Sequence, residues 1–341
     1  MNAMEYVFFV GLVCILFLIE WGYFHLADRF RIKDKPNRRS SHKKSTIRGG
    51  GIIFSIAWIL FFMFSQKTFI FMTIGLLIIS IVSFADDIKS VDNKIRLVFH
   101  TVGFAMCFFE MELLTILPLW LQITLFIVCI GAINAINFMD GINGITGLNA
   151  LSVILPLMIF DTSTGFREPM IYLLAALIVF LFFNFRKNAR CFAGDVGSVS
   201  MGYILIFLIL GLSFQVWLPR TGISEFGSSS LESFEPKYIL MLAVFGVDSV
   251  WTILHRLFLG ENIFQAHRRH LFQMLSNEMK WPHLVVSAIY GSLQFIINMW
   301  ILKNRHIPVW QLLACLIILS VVYIVAKRWI IVLTRKQKAR K

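Results

Sequence analysis

The chain has 341 residues, 58% of them hydrophobic, and a mean hydropathy of +0.76, a balance that argues against a soluble domain and for a helical membrane protein. Its 32 lysines and arginines outnumber 19 acidic residues, giving a formal net charge of +13. The bases are split among short loops with no recognition motif, which disfavours nucleic acid as a partner.

Apolar runs predict spans near 6–26, 49–65, 69–85, 97–110, 119–138, 145–160, 170–184, 199–218, 237–257, 284–302 and 309–332. The expected fold class is therefore an all-α polytopic membrane protein, a bundle of about 10–11 transmembrane helices in one domain over residues 1–341. The first run leaves through Asp28-Arg29 with no small-residue cleavage site, so it is expected to stay as an anchor. With the amino terminus outside, 26 of the 32 basic residues fall in loops 27–48, 86–96, 185–198 and 256–283 and in the tail from Lys327. This positive-inside bias sets those loops and the carboxyl terminus in the cytoplasm, in a cell membrane. Topology is thus the main reading of the net charge, with attraction to anionic lipid or phosphorylated ligands as an added one. The five cysteines are dispersed and form no CxxC, so they read as small core residues.

The first loop, DKPNRRSSHKKSTIRGGGI, combines Arg38, His42 and Arg48 with three consecutive glycines. Forked arginine donors and close backbone approach can surround an anionic head group, although a topogenic charge run is the plain alternative. Asp86-Asp87 closes the third span, and adjacent carboxylates at a helix end suggest a cation. The stretch NAINFMDGINGITG follows the fifth span. Asn134, Asn137 and Asp140 recur every three residues, a step of about 300° and about 4.5 Å on a helix, so they form a slanting polar row. Gly141, Gly144 and Gly147 let backbone amides approach an anion, and Asn143 lies among them. Gly194 to Ser198, GDVGS, enters a helix with free amides, a hydroxyl and Asp195, a phosphate-type and magnesium-type signal that ordinary capping also explains. Phe192 beside it is either packing or a surface for a flat base. In the fifth loop, AHRRHLFQ sets His267 and His270 one helical turn apart around Arg268 and Arg269. No third nitrogen or sulfur ligand accompanies them, so phosphate contact or acid–base work is the functional reading rather than zinc. Asp248 lies inside the ninth span with Arg256 two turns on, and an intramembrane acid is either functional or part of a structural ion pair.

The ordered set DxPNxRSSH…RGGG, FADDI, NxxNxxDGxNG, FxGDxGS and HxxH, over about residues 30–283, resembles the polyprenyl-phosphate N-acetylhexosaminyl-1-phosphate transferases. The AHRRH form and the SSH…RGGG loop look more like the O-antigen and capsule branch than the peptidoglycan branch. The resemblance implies transfer of a sugar 1-phosphate from a UDP-N-acetylhexosamine to undecaprenyl phosphate at the cytoplasmic face, with release of UMP. It also implies Mg2+, with Mn2+ as a substitute, and allows a homodimer, for which the sequence shows no interface. Asp86 and Asp87 match the family's acidic pair, Asp140 with its asparagines the NxxNxxDG motif, and Asp195 the magnesium-binding acid. Lys94 and Phe192 match nucleotide-contacting positions, and His267 and His270 the outer histidines of a histidine-rich loop. Asp248 with Arg256 resembles the family's D…R spacing. Two departures are Arg268-Arg269, where relatives carry Ile-His or further histidines, and Phe245, where a proline is common.

The chemistry makes the same demands. Two anionic substrates must meet, so basic loops and a divalent cation reduce their repulsion, while a carboxylate takes the acceptor phosphate's last proton, with Asp86 the first choice and Asp87 the second. The competing expectation is a transporter or flippase of a lipid-linked sugar. It predicts acids at mid-membrane and an internal repeat, whereas here the acids sit at span ends.

Overall fold

The computed structural model describes residues 3–34, 45–65, 68–160, 165–215, 234–262 and 268–339. Each of the eleven predicted spans is a helix. In order they are α1 (Ala3–Arg29), α2 (Ile52–Phe64), α3 (Ile70–Ile88), α4 (Asn93–Glu110), a short α5 (Leu113–Ile116), α6 (Leu119–Met139), α7 (Ile145–Phe160), α8 (Arg167–Asn184), α9 (Gly194–Ser213), α10 (Ala243–Phe258), a short α11 (Leu271–Asn277), α12 (His283–Lys303) and α13 (Val309–Ala339). Among the described residues eight helices are long and apolar enough to cross a membrane, counting α10 with the 3-10 turn Pro236–Leu242 that leads into it. The helices α2 and α7 are apolar but shorter. Among the described residues the strands are a two-residue antiparallel pair, β1 (Lys33–Asp34) with β2 (Thr46–Ile47).

The bundle is built around α9. Its apolar window is wholly buried, whereas that of α13 is 11% buried, so α9 meets other helices and α13 mostly presents lipid-type side chains such as Ile317, Val321 and Val325. Lipid tails are as apolar as leucine, so burial inside such a bundle gains little from hydrophobicity and depends on close packing and polar ties. Both surround α9. Ser80 on α3 lies 2.8 Å from Ser55 on α2 and 2.9 Å from Ser200 on α9, a three-helix hydroxyl ladder. Tyr203 donates to the Gly103 carbonyl of α4 at 2.9 Å, and a side chain at Gly103 would collide with Ile79 of α3.

The last span before the histidine loop is not one regular helix. Its first turn is 3-10 and the chain becomes α-helical at Ala243. The freed backbone groups are taken up by α12, where Gln294 accepts from Val244 N–H at 2.9 Å and donates to the Leu240 carbonyl at 2.9 Å. This is how a broken helix survives away from water.

Candidate active site

Four helix ends meet at one corner: the carboxyl ends of α3 and α6, the amino end of α9 and the first turns of α4. The loop before α2 closes this corner. Ile47 bridges Cys191 in parallel, Phe192 N–H donates to the Ile47 carbonyl at 2.8 Å, and Gly50 and Gly51 N–H donate to the Phe192 and Ala193 carbonyls at 2.9 and 3.0 Å. Only glycines permit this. A Cβ on Gly50 would stand 2.6 Å from Cys191 Sγ, one on Gly51 would strike Gly197, and Gly49 has φ +82°. The three glycines, expected to admit an anionic head group, bring the loop backbone against the start of α9.

This seam delivers Arg48 to the carboxylates. Its Nε lies 2.6 Å from Asp87 and its second guanidinium nitrogen 3.0 Å from Asp195. Burial alone would lower the pKa of Arg48, but Asp87 and Asp195 outweigh it and hold the guanidinium above its ordinary value. Asp87 has no exposed side-chain surface, and its two oxygens accept the Asp195 and Val196 backbone amides at 2.8 and 3.0 Å. It is the cap of α9, set where the helix end is positive. Asp86 accepts Val91 N–H at 2.6 Å and meets Arg96 at 3.2 Å, and Arg96 also reaches Asp195 at 3.6 Å. Two arginines thus interleave three carboxylates.

The polar row on α6 is used unevenly. Asn137 donates to Asp195 at 3.1 Å and to Ser198 Oγ at 2.9 Å, while Asn134 turns back to the Ile130 carbonyl of its own helix at 2.7 Å. Asp140 ends α6, is half-buried, and accepts the Thr146 hydroxyl at 2.6 Å through Oδ1. Burial pushes the Asp140 carboxyl up to about 6, negative Asp195 adds to this, and the Thr146 hydroxyl opposes it. Asn143 donates to the Arg186 carbonyl at 2.7 Å and its own carbonyl accepts Ser287 Oγ at 2.7 Å, so it fastens the 185–190 loop and α12. Lys94 is exposed in the first turn of α4, Phe192 is half-buried on the seam, and Gly194 holds φ +72° tight against Asp87 and Gly49. Ser198 is buried and also donates to the Gly194 carbonyl at 2.9 Å.

The histidine loop reaches the same region from the other side. Gly141, next to Asp140, lies against the Phe272 ring of α11. His270 is buried with Nδ1 3.1 Å from Asp248, which also accepts Leu271 N–H at 3.1 Å and so caps α11. Arg256 pairs with Glu261 at 3.2 Å rather than with Asp248, and Arg269 meets the same Glu261. Arg268 is half-buried in this loop. Arg38, His42 and His267 lie outside the described residues.

Reading the sequence missed Arg96 and His100. Arg96 is one turn into α4 behind its Asp92 cap, so a basic residue shortly after an acidic pair was the available signal. His100, one turn further, is buried beside Arg96 and Asp195, and its Nε2 has no hydrogen-bond partner among the described residues. Nothing in its apolar neighbourhood in the sequence announces it.

No three carboxylate, imidazole or thiol groups among the described residues stand close enough to cage a metal by themselves. Magnesium does not require such a cage, since one or two carboxylates with substrate phosphates and water suffice. Asp195, held by Arg48, Arg96 and Asn137 with 15% of its side chain exposed, fits that donor set.

Residues 69–213 match the family model for glycosyl transferase family 4, a segment running from α3 to the end of α9. The chain is also similar to a phospho-N-acetylmuramoyl-pentapeptide-transferase of Thermotoga neapolitana, 29% identical over 215 residues that cover 57% of this chain and 70% of the relative.

Proposed function

Because residues 69–213 match the glycosyl transferase family 4 model and the chain is similar to a phospho-N-acetylmuramoyl-pentapeptide-transferase, we propose that it is a membrane-embedded polyprenyl-phosphate transferase and moves an N-acetylhexosamine 1-phosphate from a UDP-sugar to undecaprenyl phosphate. UMP leaves, and the lipid-linked sugar begins a surface polysaccharide of the O-antigen or capsule kind. The observation that carries the reading is the joining of Asp86, Asp87 and Asp195 by Arg48 and Arg96 at one end of the bundle, with Asp140 on the neighbouring helix end.

In this reaction an acceptor phosphate oxygen attacks the β-phosphorus of the donor, and the bond from that phosphorus to the bridging oxygen breaks toward UMP. Catalysis of this kind is mainly positioning and charge neutralisation. Magnesium, if bound, would supply positive charge to the reacting phosphates, and Asp195 would be the residue to hold it. Asp87, fully engaged at the start of α9, acts by fixing Asp195 rather than by taking a proton. Asp140 is proposed as the base in preference to Asp86, because only its Oδ1 is engaged among the described residues, whereas the two oxygens of Asp86 are taken by Val91 N–H and Arg96; burial raises both carboxyls to about 6, near a working pH that favours proton transfer. Lys94, Phe192 and the basic residues Arg38, His42, Arg268 and Arg269 are proposed contacts for nucleotide and phosphates, and His270 for a substrate phosphate.

The experiment is direct. Purified protein in detergent with undecaprenyl phosphate, magnesium and a panel of UDP-N-acetylhexosamines is expected to release UMP with at least one donor; no UMP with any of them would remove the transferase reading. The loops are proposed to be cytoplasmic. An Asn188→Cys probe in a cysteine-free background, in the exposed 185–190 loop, should react with an impermeant maleimide in inverted vesicles and not in intact cells, and the reverse pattern would turn the topology over.

A further inference from the structure

Lys327 lies in the second half of α13, the least buried of the eight candidate spans. A lysine there would ordinarily run its stem along the surface and carry its charge into water. Instead it is 6% exposed and turned inward. Its Nζ donates to Tyr323 Oη at 2.5 Å and to Thr252 Oγ1 at 3.3 Å, and those two hydroxyls are 2.8 Å apart. Thr252 Oγ1 is 3.2 Å from Asp248 Oδ1, and Tyr290 of α12 donates to Asp248 Oδ2 at 2.7 Å. Asp248 then meets His270 Nδ1 at 3.1 Å and the Leu271 and Phe272 amides at 3.1 and 3.5 Å. A continuous chain of buried polar contacts therefore runs from α13 through α10 to the histidine loop.

We propose that Lys327, acting through Tyr323 and Thr252, is a positioning residue that holds Asp248 in place and thereby sets the ring of His270. The physical argument is charge. An ionised carboxylate buried to 1% exposure is costly without an opposite charge, and the partners of Asp248 given above are hydroxyls, amides and an imidazole. Lys327 supplies the opposite charge one hydroxyl away, and the Thr252 and Tyr323 hydroxyls, each able to donate and accept, transmit it. Ionised Asp248 only accepts, so His270 Nδ1 donates to it, and that bond fixes the orientation of the ring. The same carboxylate fixes the first turn of α11, whose Phe272 packs on Gly141 beside Asp140. Thus α13, which lies outside the matched family segment, reaches the site through Asp248.

This inference rests on the reading of His270 as a contributor to transfer, and its test separates the two. Lys327→Met should lower kcat by roughly 10–100-fold, the scale for partners that orient a working side chain, with donor KM changed less than about twofold. Lys327→Arg, which keeps the charge, should recover most of it. In a His270→Ala background Lys327→Met should cost nothing further, because its effect runs through that ring. Hydrogen exchange of the Leu271 and Phe272 amides should speed up in Lys327→Met and not in Lys327→Arg. Equal loss of kcat with and without His270, or unchanged exchange at 271–272, overturns the proposal. If the wild type forms no UMP, the exchange measurement still decides it. If Lys327→Met fails to fold, Tyr323→Phe removes the relaying hydroxyl at nearly constant volume and is expected to give the same exchange and kcat pattern.

Discussion

Arg48 and Asp195, 147 positions apart in the chain, form a 3.0 Å ion pair, and the same guanidinium holds Asp87 at 2.6 Å. One side chain from the first loop therefore sets the charge between the end of α3 and the start of α9. Replacing Arg48 by Ala leaves two neighbouring carboxylates facing each other with less compensation, a change that is strongly destabilising when a buried pair is broken. Activity should fall by at least about 100-fold, and Arg48→Lys should recover little of it, because a single ammonium cannot reproduce the fork. UMP release by the three proteins at matched concentration measures this.

The glycine seam gives a stability prediction. Gly51→Ala puts a methyl group into the backbone of Gly197, and overpacking of this kind costs roughly 1–3 kcal/mol. The thermal midpoint in detergent should drop, whereas Gly246→Ala within α10, where a Cβ meets nothing within 4 Å, should hold or raise it, since Ala favours a helix over Gly. Equal midpoints would mean that the two helices separate more easily than the seam implies.

A pH dependence follows from Asp140. With its carboxyl at about 6, kcat should fall as the pH drops through that value, because the base becomes protonated. The Thr146 hydroxyl favours the ionised form, so Thr146→Val should move the acid limb to higher pH. The sign for stability is opposite. A raised carboxyl pKa contributes stability that is present at low pH and lost as the pH rises through about 6. A kcat profile of both proteins from pH 5 to 8 tests the limb.

Metal removal is the next test. Chelation should abolish UMP release and magnesium should restore it, with manganese a weaker substitute. Asp195→Asn should remove activity at ordinary magnesium levels, since it deletes the charge that Arg48 and Arg96 surround. Unchanged turnover in that variant would take the cation role away from Asp195.

Much of this architecture was legible because apolar runs report membrane helices directly: a helix covers most of each expected run, with limits that differ by up to seven residues, as where α13 continues to Ala339. The acidic residues were legible because charge at a span end is rare enough to notice. Their division of labour was not. Asp86 and Asp87 look alike in the sequence, yet the helix turns one toward Arg96 and Val91 and the other into the amides of α9, a difference set by a partner 108 residues away. The row Asn134, Asn137, Asp140 suggested one polar face, but each side chain takes its own partner: Asn134 the carbonyl of its own helix, Asn137 the start of α9, and Asp140 the Thr146 hydroxyl. Arg96, His100 and Lys327 escaped notice because their meaning lies in the helices they face.

The complete burial of α9 has a consequence for how the protein meets its membrane. Because lipid never touches this helix, changes in bilayer thickness or composition act first on the outer helices such as α1 and α13, which can tilt against the surrounding acyl chains. The helix that starts at the carboxylate corner is shielded from that adjustment by its neighbours, so its geometry should vary less between thin and thick bilayers than that of the outer helices, which absorb the mismatch.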